Sequence, residues 1–301
     1  MYEGLEKILN PEKIKYNEPM SKHTTSKIGG MADVLVMPES IDEITKVINY
    51  AKINNIKVTV IGNGSKIVVS DDGIEGIVMK IASKMSEIRI ENEYIYAEAG
   101  ATMPAIAIKA KQAGLSGFEF ACGIPGTIGG GVKMNAGAYG SEIKNVLVSC
   151  QYLDENLNII KKNCDELEFG YRDSIFIHNP NLVVLTALFK LEKGNLEEIE
   201  AKMQENMEAR KSKQPLEYPN AGSTFRRPEG YFVGKLVEDA GLRGFQIGDA
   251  QVSEKHTGFI VNKGKATCND VKELVEHIQN VVKEKFEVEL KPEIEFLGRN
   301  I

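Results

Sequence analysis

The sequence predicts an α+β protein built in two parts, and three observations carry that prediction. Short β-branched runs alternate with amphipathic helical stretches between residues 40 and 191. A glycine-rich segment from Gly114 to Gly140 interrupts this alternation. From Asn195 onward the apolar period changes to that of a helix, and a second set of helices and short strands follows. The 301 residues are 42% hydrophobic, so the chain buries a sizeable core and is long enough for two domains.

Each element has a local cause. From Ser40 to Asn54 the apolar positions Ile41, Ile44, Val47, Ile48 and Ala51 keep helical spacing, and Ser40 with Glu43 makes a capping box, which predicts a helix. Residues 58–61 form a β-branched run ending at Gly62, a strand that leads into a glycine loop. A strand over 77–82 and a hairpin of 88–90 with 94–96 follow, then a helix over 103–113 stopped by Gly114. Beyond the glycine-rich segment, strands are expected over 146–153, 157–160 and 182–191. Asn195 caps a helix with Leu196, Ile199 and Met203 on one face, which ends before Pro215. The last part carries a helix over 233–240 closed by Gly241 and a strand over 258–261. A long helix over 271–286 and a terminal strand near 292–297 complete it.

Composition excludes several classes of function. With 37 Lys+Arg against 43 Asp+Glu the net charge is -6, so no broad basic face is present for a nucleic-acid backbone. No stretch approaches the roughly 18 apolar residues of a membrane span, and the first residues lack the pattern of a signal peptide; a cytoplasmic protein is expected. Cys122, Cys150, Cys164 and Cys268 are scattered without a C-x-x-C pair and read as reduced, mostly buried thiols. The histidines show no metal-ligand spacing, so no metal is implied.

Two glycine loops point toward a ligand. Gly62-Asn63-Gly64-Ser65 follows a strand directly, and its backbone N–H groups could form an anion-binding nest; taken alone it is a weak signal and reads first as a Gly-rich turn in a hairpin. The dinucleotide fingerprint fails there because Ile67 stands where a third glycine is needed, and the Walker pattern fails at Gly126 because Val132 replaces its lysine. The second loop runs from Gly123 to Gly131, and three successive glycines at its end lose much chain entropy for no packing of their own. Such a cost points to a ligand or another backbone lying against the loop. A large diphosphate cofactor extended across a mixed sheet domain fits both loops.

At this point seven ordered segments resemble one family. They are His23-Thr24-Thr25-Ser26-Lys27-Ile28-Gly29-Gly30-Met31-Ala32-Asp33, Gly62 to Ser65, Gly123-Ile124-Pro125-Gly126-Thr127-Ile128-Gly129-Gly130, Asn135-Ala136-Gly137-Ala138-Tyr139-Gly140, Gly170-Tyr171-Arg172-Asp173-Ser174, Ala221-Gly222-Ser223-Thr224-Phe225-Arg226 and Lys291-Pro292-Glu293-Ile294. Together they are similar to the UDP-N-acetylenolpyruvoylglucosamine reductase family, in its shorter type without a tyrosine-bearing insertion. The resemblance implies a vanillyl-alcohol-oxidase/PCMH-type FAD-binding domain of two lobes plus a C-terminal α+β substrate domain. The corresponding division is 1–193, with lobes of about 1–83 and 84–193, and 194–301, whose last strand is expected to return to the first lobe. It also implies noncovalent FAD, NADPH as reductant, and UDP-N-acetylglucosamine enolpyruvate as substrate. No protein partner is inferred.

The resemblance assigns residues as well. FAD contacts are expected from Ile61, Gly62, Asn63, Gly64, Ser65, Gly123, Ile124, Pro125, Gly126, Thr127, Gly129, Gly130, Asn135 and Gly137. Substrate contacts are expected from Tyr139, Arg226, Arg227, Lys235 and His256. Lys66 stands where the family commonly has Asn, and a lysine beside a diphosphate is electrostatically acceptable. Reduction of an enolpyruvyl ether needs a hydride at the terminal alkene carbon, stabilisation of the resulting enolate, and a proton for the adjacent carbon; the last two demands fall on Arg172, Ser223 and Glu293. Taken without the resemblance, Arg172 reads as a surface partner of Asp173, Ser223 as a turn serine, and Glu293 as an outward-facing strand carboxylate. Alternative readings are an FAD oxidase of the same fold acting on a sugar or hydroxy acid, and a nucleotide-sugar or flavin-binding sensor without turnover.

Overall fold

The structure, a computed structural model, describes residues 2–301. It divides into two compact units that do not follow a single cut in the chain. The first comprises Met1–Lys15, Leu35–Asn63 and Ile77–Arg210, and the second Tyr16–Val34, Gly64–Gly76 and Lys211–Ile301. Three strands, Ile14–Pro19, Met31–Val36 and Ile74–Lys80, contain points where the chain passes from one unit into the other.

The first unit is built on a five-stranded antiparallel sheet ordered Ile159–Asn163, Leu147–Leu153, Val183–Lys190, Tyr94–Glu98 and Ile88–Glu91. Its central strand, Val183–Lys190, is a nearly continuous apolar run because both of its faces are covered. Phe189 meets Phe118 edge-on at 5.2 Å, and Phe118 is wholly enclosed. The expected hairpin turns at Asn92, which adopts a left-handed φ of 53° that Asn tolerates. Separately, Val58–Ile61 pairs in parallel with residues 77–80 of Ile74–Lys80, which directs the end of the first strand into the loop at Gly62.

Among the described residues five α-helices begin in this unit. Helix α1, Ile41–Ile53, buries Ile44, Val47 and Ala51 and is capped by the Ser40 hydroxyl, which accepts from the Glu43 N–H at 3.1 Å. Only half of the expected capping box forms, because the Glu43 carboxylate takes Lys13 and the Glu39 N–H instead. Helix α2, Met103–Gln112, starts at Thr102 and stops before Gly114, as its spacing predicts. Helix α3, Ile128–Lys133, lies inside the glycine-rich segment that the sequence reading treats as loop, and it packs against Val183–Lys190. Its bare backbone has a packing cause: a Cβ on Gly129 would stand 3.2 Å from the Ala99 Cβ, and the Gly129 N–H donates to the Ala99 carbonyl at 2.8 Å. The short α4, Ile175–His178, follows Ser174, and α5, Leu196–Lys213, is capped by the Asn195 side chain.

The second unit has its own core. A four-stranded sheet ordered Asn220–Ser223, Phe259–Asn262, Ala250–Val252 and Gln246–Ile247 packs with helices α6, Val233–Asp239, and α7, Cys268–Phe286. Val271, Leu274, Val275, Ile278 and Val282 of α7 form the buried stripe that its periodicity predicts. The terminal strand Glu295–Leu297 runs parallel to Ile67–Val69, pairing Glu295 with Ile67. The four cysteines are free, with Cys122, Cys150 and Cys268 buried. Among the described residues no helix is long and apolar enough to cross a membrane, and no cluster of three His, Cys, Asp or Glu side chains could hold a metal ion.

Candidate functional site

In the first unit, the parallel strand pair delivers Ile61, buried, to the start of the loop at Gly62. A Cβ on Gly62 would fall 2.2 Å from the Thr127 hydroxyl oxygen, so the residue is bare because Thr127 already occupies that space. Asn63 donates through Nδ2 to the Pro125 carbonyl at 3.2 Å. The stretch from Gly123 through Ile124 to Thr127 is anchored by the Ile128 N–H on the Ala101 carbonyl, and the Gly126 carbonyl accepts from the Met103 N–H. These bonds bring the two glycine loops together. The N–H groups of Gly62, Asn63, Gly126 and Thr127 donate to no acceptor among the described residues. In the second unit the same holds for Gly64 and Ser65, where Gly64 packs against the His23 carbonyl. Unsatisfied main-chain donors of this kind suit an anionic group.

A cation lies against the second loop that sequence reasoning missed. The Arg210 side chain passes Gly123, where a Cβ would come within 2.8 Å of its Cδ. Burial pulls the Arg210 guanidinium below its ordinary range, and no carboxylate among the described residues pairs with it. Its neighbours are Tyr139 and Cys122, both pushed up by burial. A half-buried cation without an acidic partner among the described residues, beside main-chain donors without acceptors, fits a diphosphate group. The signal was present in the sequence: Ile199, Met203, Met207 and Arg210 follow one another on one face of α5.

Arg172 sits at a φ of 55°, as does Tyr139 at 53° and Asn135 at 44°, all in the left-handed region. Its guanidinium donates to the Gly137 carbonyl at 2.7 Å and to the Asn135 carbonyl at 3.2 Å. The partner anticipated from sequence alone, Asp173, instead takes His178 at 3.0 Å. Asn135 is fully enclosed, and both ends of its side chain bind main chain: Nδ2 donates to the Gly170 carbonyl at 2.8 Å, and Oδ1 accepts the Lys144 N–H at 3.0 Å. Ser174 adds a bond from its hydroxyl to the Lys133 carbonyl at 2.6 Å. The turn carrying Arg172 is thus tied to the segment 133–144 at several points. Gly130 lies exposed on α3 near Thr127.

In the second unit, the segments around Ser223 and Glu293 run side by side. The Glu293 N–H donates to the Thr224 carbonyl at 2.8 Å, the Arg226 N–H to the Lys291 carbonyl at 2.9 Å, and Phe225 bridges Pro292. Lys66 joins them: its ammonium lies 2.8 Å from Glu293 Oε1 and donates to the Ser223 carbonyl at 2.6 Å. Glu293 is therefore turned inward, against the outward orientation its strand neighbours suggest. The Ser223 hydroxyl donates to the Phe225 carbonyl at 3.3 Å.

The remaining predicted residues of this unit make other contacts. Arg227 is exposed, donates to the Tyr231 carbonyl at 3.0 Å and lies 3.9 Å over the Phe232 ring. Lys235 is engaged by Asp239 one helical turn on at 2.5 Å. His256 is half-buried, with Nδ1 accepting from the Gly258 N–H at 3.1 Å and its ring edge-on to Phe259 at 4.9 Å. Burial holds its imidazole below the usual histidine range.

Comparison with known proteins gives two family matches along the chain. Residues 32–161 match a family described as FAD binding domain, and residues 214–297 match the UDP-N-acetylenolpyruvoylglucosamine reductase C-terminal domain. The chain is 52% identical over 298 residues to UDP-N-acetylenolpyruvoylglucosamine reductase of Caldanaerobacter subterraneus subsp. tengcongensis, covering 99% of this chain and 98% of that one. It is 48% identical over 294 residues to the protein of that name from Clostridium novyi, covering 98% and 95%. The crystal structure of UDP-N-acetylenolpyruvylglucosamine reductase from Thermus caldophilus matches with a TM-score of 0.81 at 33% identity, covering 93% of this chain and 97% of that one. The glucose dehydrogenase Phl p 4 matches 64% of this chain and 44% of its own with a TM-score of 0.51 at 12% identity, a likeness of fold alone. The expected PCMH-type flavin-binding fold with a C-terminal domain is borne out.

Proposed function

The chain belongs to the UDP-N-acetylenolpyruvoylglucosamine reductase family, and from that premise we propose that it reduces UDP-N-acetylglucosamine enolpyruvate to UDP-N-acetylmuramate with NADPH, a step in building peptidoglycan precursors. The observation that carries this reading is similarity along nearly the whole chain to reductases of that name. A shared fold with a sugar dehydrogenase would leave oxidase chemistry equally open. The cytoplasm is the proposed location, because a nucleotide-sugar substrate and NADPH are drawn from pools inside the cell.

Bound FAD supplies a hydride relay from NADPH to the terminal alkene carbon. The main-chain donors of Gly62, Asn63, Gly126 and Thr127, with the Arg210 guanidinium, would hold its diphosphate. Arg172 pairs with the substrate carboxylate as charge develops there, its plane set by the Asn135 and Gly137 carbonyls. Ser223 donates the proton to the adjacent carbon, and Glu293 serves the carboxyl side, its charge offset by Lys66. Tyr139, Arg226, Arg227, Lys235 and His256 are assigned to the nucleotide sugar. The FAD-binding part is assigned to 1–193 and the substrate part to 194–301, an assignment supported by the positions of the two family matches.

The test is anaerobic. NADPH should bleach the flavin, and the enolpyruvyl substrate should then restore its colour with formation of UDP-N-acetylmuramate. Bleached enzyme that ignores this substrate yet is rapidly reoxidised by oxygen would replace the proposal with an oxidase, and flavin that NADPH leaves unreduced would overturn the reductase reading.

A further inference from the structure

Lys66 follows the first glycine loop, where a cofactor diphosphate would be the obvious partner for its charge. Its ammonium instead spans the Glu293 carboxylate at 2.8 Å and the Ser223 carbonyl at 2.6 Å. The pair is withdrawn from solvent, with the Lys66 side chain 22% and that of Glu293 9% exposed. The backbone makes room for it: Gly222 adopts a φ of 78°, and a Cβ there would lie 3.4 Å from the Lys66 nitrogen. Main-chain bonds hold the segments in place. The Glu295 N–H donates to the Lys66 carbonyl at 2.9 Å, and the Glu293 N–H to the Thr224 carbonyl at 2.8 Å. Three segments far apart in sequence therefore meet around one ammonium.

We propose that Lys66 is a positioning residue of the reaction: one ammonium holds the Glu293 carboxylate and the Ser223 main chain in a single arrangement, and the flavin-to-substrate step depends on that bridge. The inference rests on the roles proposed above for Ser223 and Glu293. Its physical basis is the cost of an enclosed carboxylate that loses its cation, which either turns away or changes charge. Either response moves Glu293. The Ser223 peptide loses its side-chain donor at the same time, so the proton donor and its neighbour are displaced together. A displacement near 1 Å is enough to slow such a step by about 10²-fold. Lys66 touches neither of the atoms that exchange hydride or proton in this scheme.

The test compares K66M, which keeps length and loses charge, with K66R, which keeps charge. K66M should retain FAD content and flavin reduction by NADPH within about twofold while the flavin-to-substrate step slows by about 10²-fold, and K66R should recover most of that loss. A second readout is independent of turnover. The carboxyl resonance of carbon-13-labelled glutamate that disappears in E293Q should shift in K66M and return toward its place in K66R. Should K66M fold poorly, K66N, too short to reach Glu293, serves in its place. A normal substrate step, equal slowing of both half-reactions, or an unmoved Glu293 resonance would overturn the proposal. S223A and E293Q run beside it separate the two levels. If they slow the substrate step and K66M does not, only the role of Lys66 falls; if neither slows it, the catalytic assignment falls and that of Lys66 with it.

Discussion

The role proposed for Arg172 rests on the setting its backbone gives it. Its left-handed φ and the two carbonyls of Asn135 and Gly137 orient a planar fork that a lysine cannot reproduce. Arg172→Lys should therefore lose on the order of 2–4 kcal/mol, mainly in the flavin-to-substrate step, as removal of an oxyanion-hole donor does. Stopped-flow measurement of both half-reactions checks this; weak substrate binding with a normal rate of that step would make Arg172 a ground-state binding group. His256 carries a different consequence. Burial depresses its folded pKa below the ordinary value near 6.5, so the unfolded chain takes up the proton first as the pH falls. The stability due to neutral His256 is present above about pH 6.5 and is lost as the pH falls from there through the folded value. His256→Gln should show a smaller drop in Tm between pH 7 and pH 5 than the parent chain, and an equal drop would count against the burial argument.

Helix α7 depends on a residue from a distant loop. Both carboxylate oxygens of Asp71 accept N–H groups of its first turn, from Cys268 at 2.9 Å and Asn269 at 3.0 Å, beside the local capping box of Thr267 and Asp270. Asp71→Ala leaves those donors without their acceptor, and urea unfolding should record a loss of about 1–2 kcal/mol. An unchanged midpoint would mean that the Thr267 box suffices. The same helix separates what periodicity reveals from what it hides. The stripe from Val271 to Val282 was legible because a 3.6-residue repeat of large apolar side chains has one interpretation over that length. Helix α3 was not legible, since Ile128-Gly129-Gly130-Gly131 has poor helix propensity and forms only because neighbouring backbone closes on it. Asp71 as a cap was equally hidden, because nothing local links it to residue 268.

At the scale of the molecule, FAD is expected to be held without a covalent bond. Cys122 adjoins the glycine loop, but burial pushes its thiol up, away from the thiolate that a linkage would require. Acid precipitation should release the yellow colour into the supernatant, and FAD at a hundredfold excess over its Kd should stabilise the protein by about 2.7 kcal/mol. Colour retained in the pellet would contradict noncovalent binding. The ordered motifs made the flavin-binding fold and the reductase family legible from the chain alone, and the roles of Arg172, Ser223 and Glu293 are proposed from the same resemblance. Local rules also placed most helices and strands, since spacing and caps act within a few residues. Tertiary structure alone decided that Arg172 binds two carbonyls rather than Asp173, that Arg210 lies against Gly123, and that Lys66 joins Glu293 to Ser223. Each of these is a contact across dozens to hundreds of residues, where the choice of partner depends on which segments the packed core brings within hydrogen-bonding distance, and no local spacing encodes that distance.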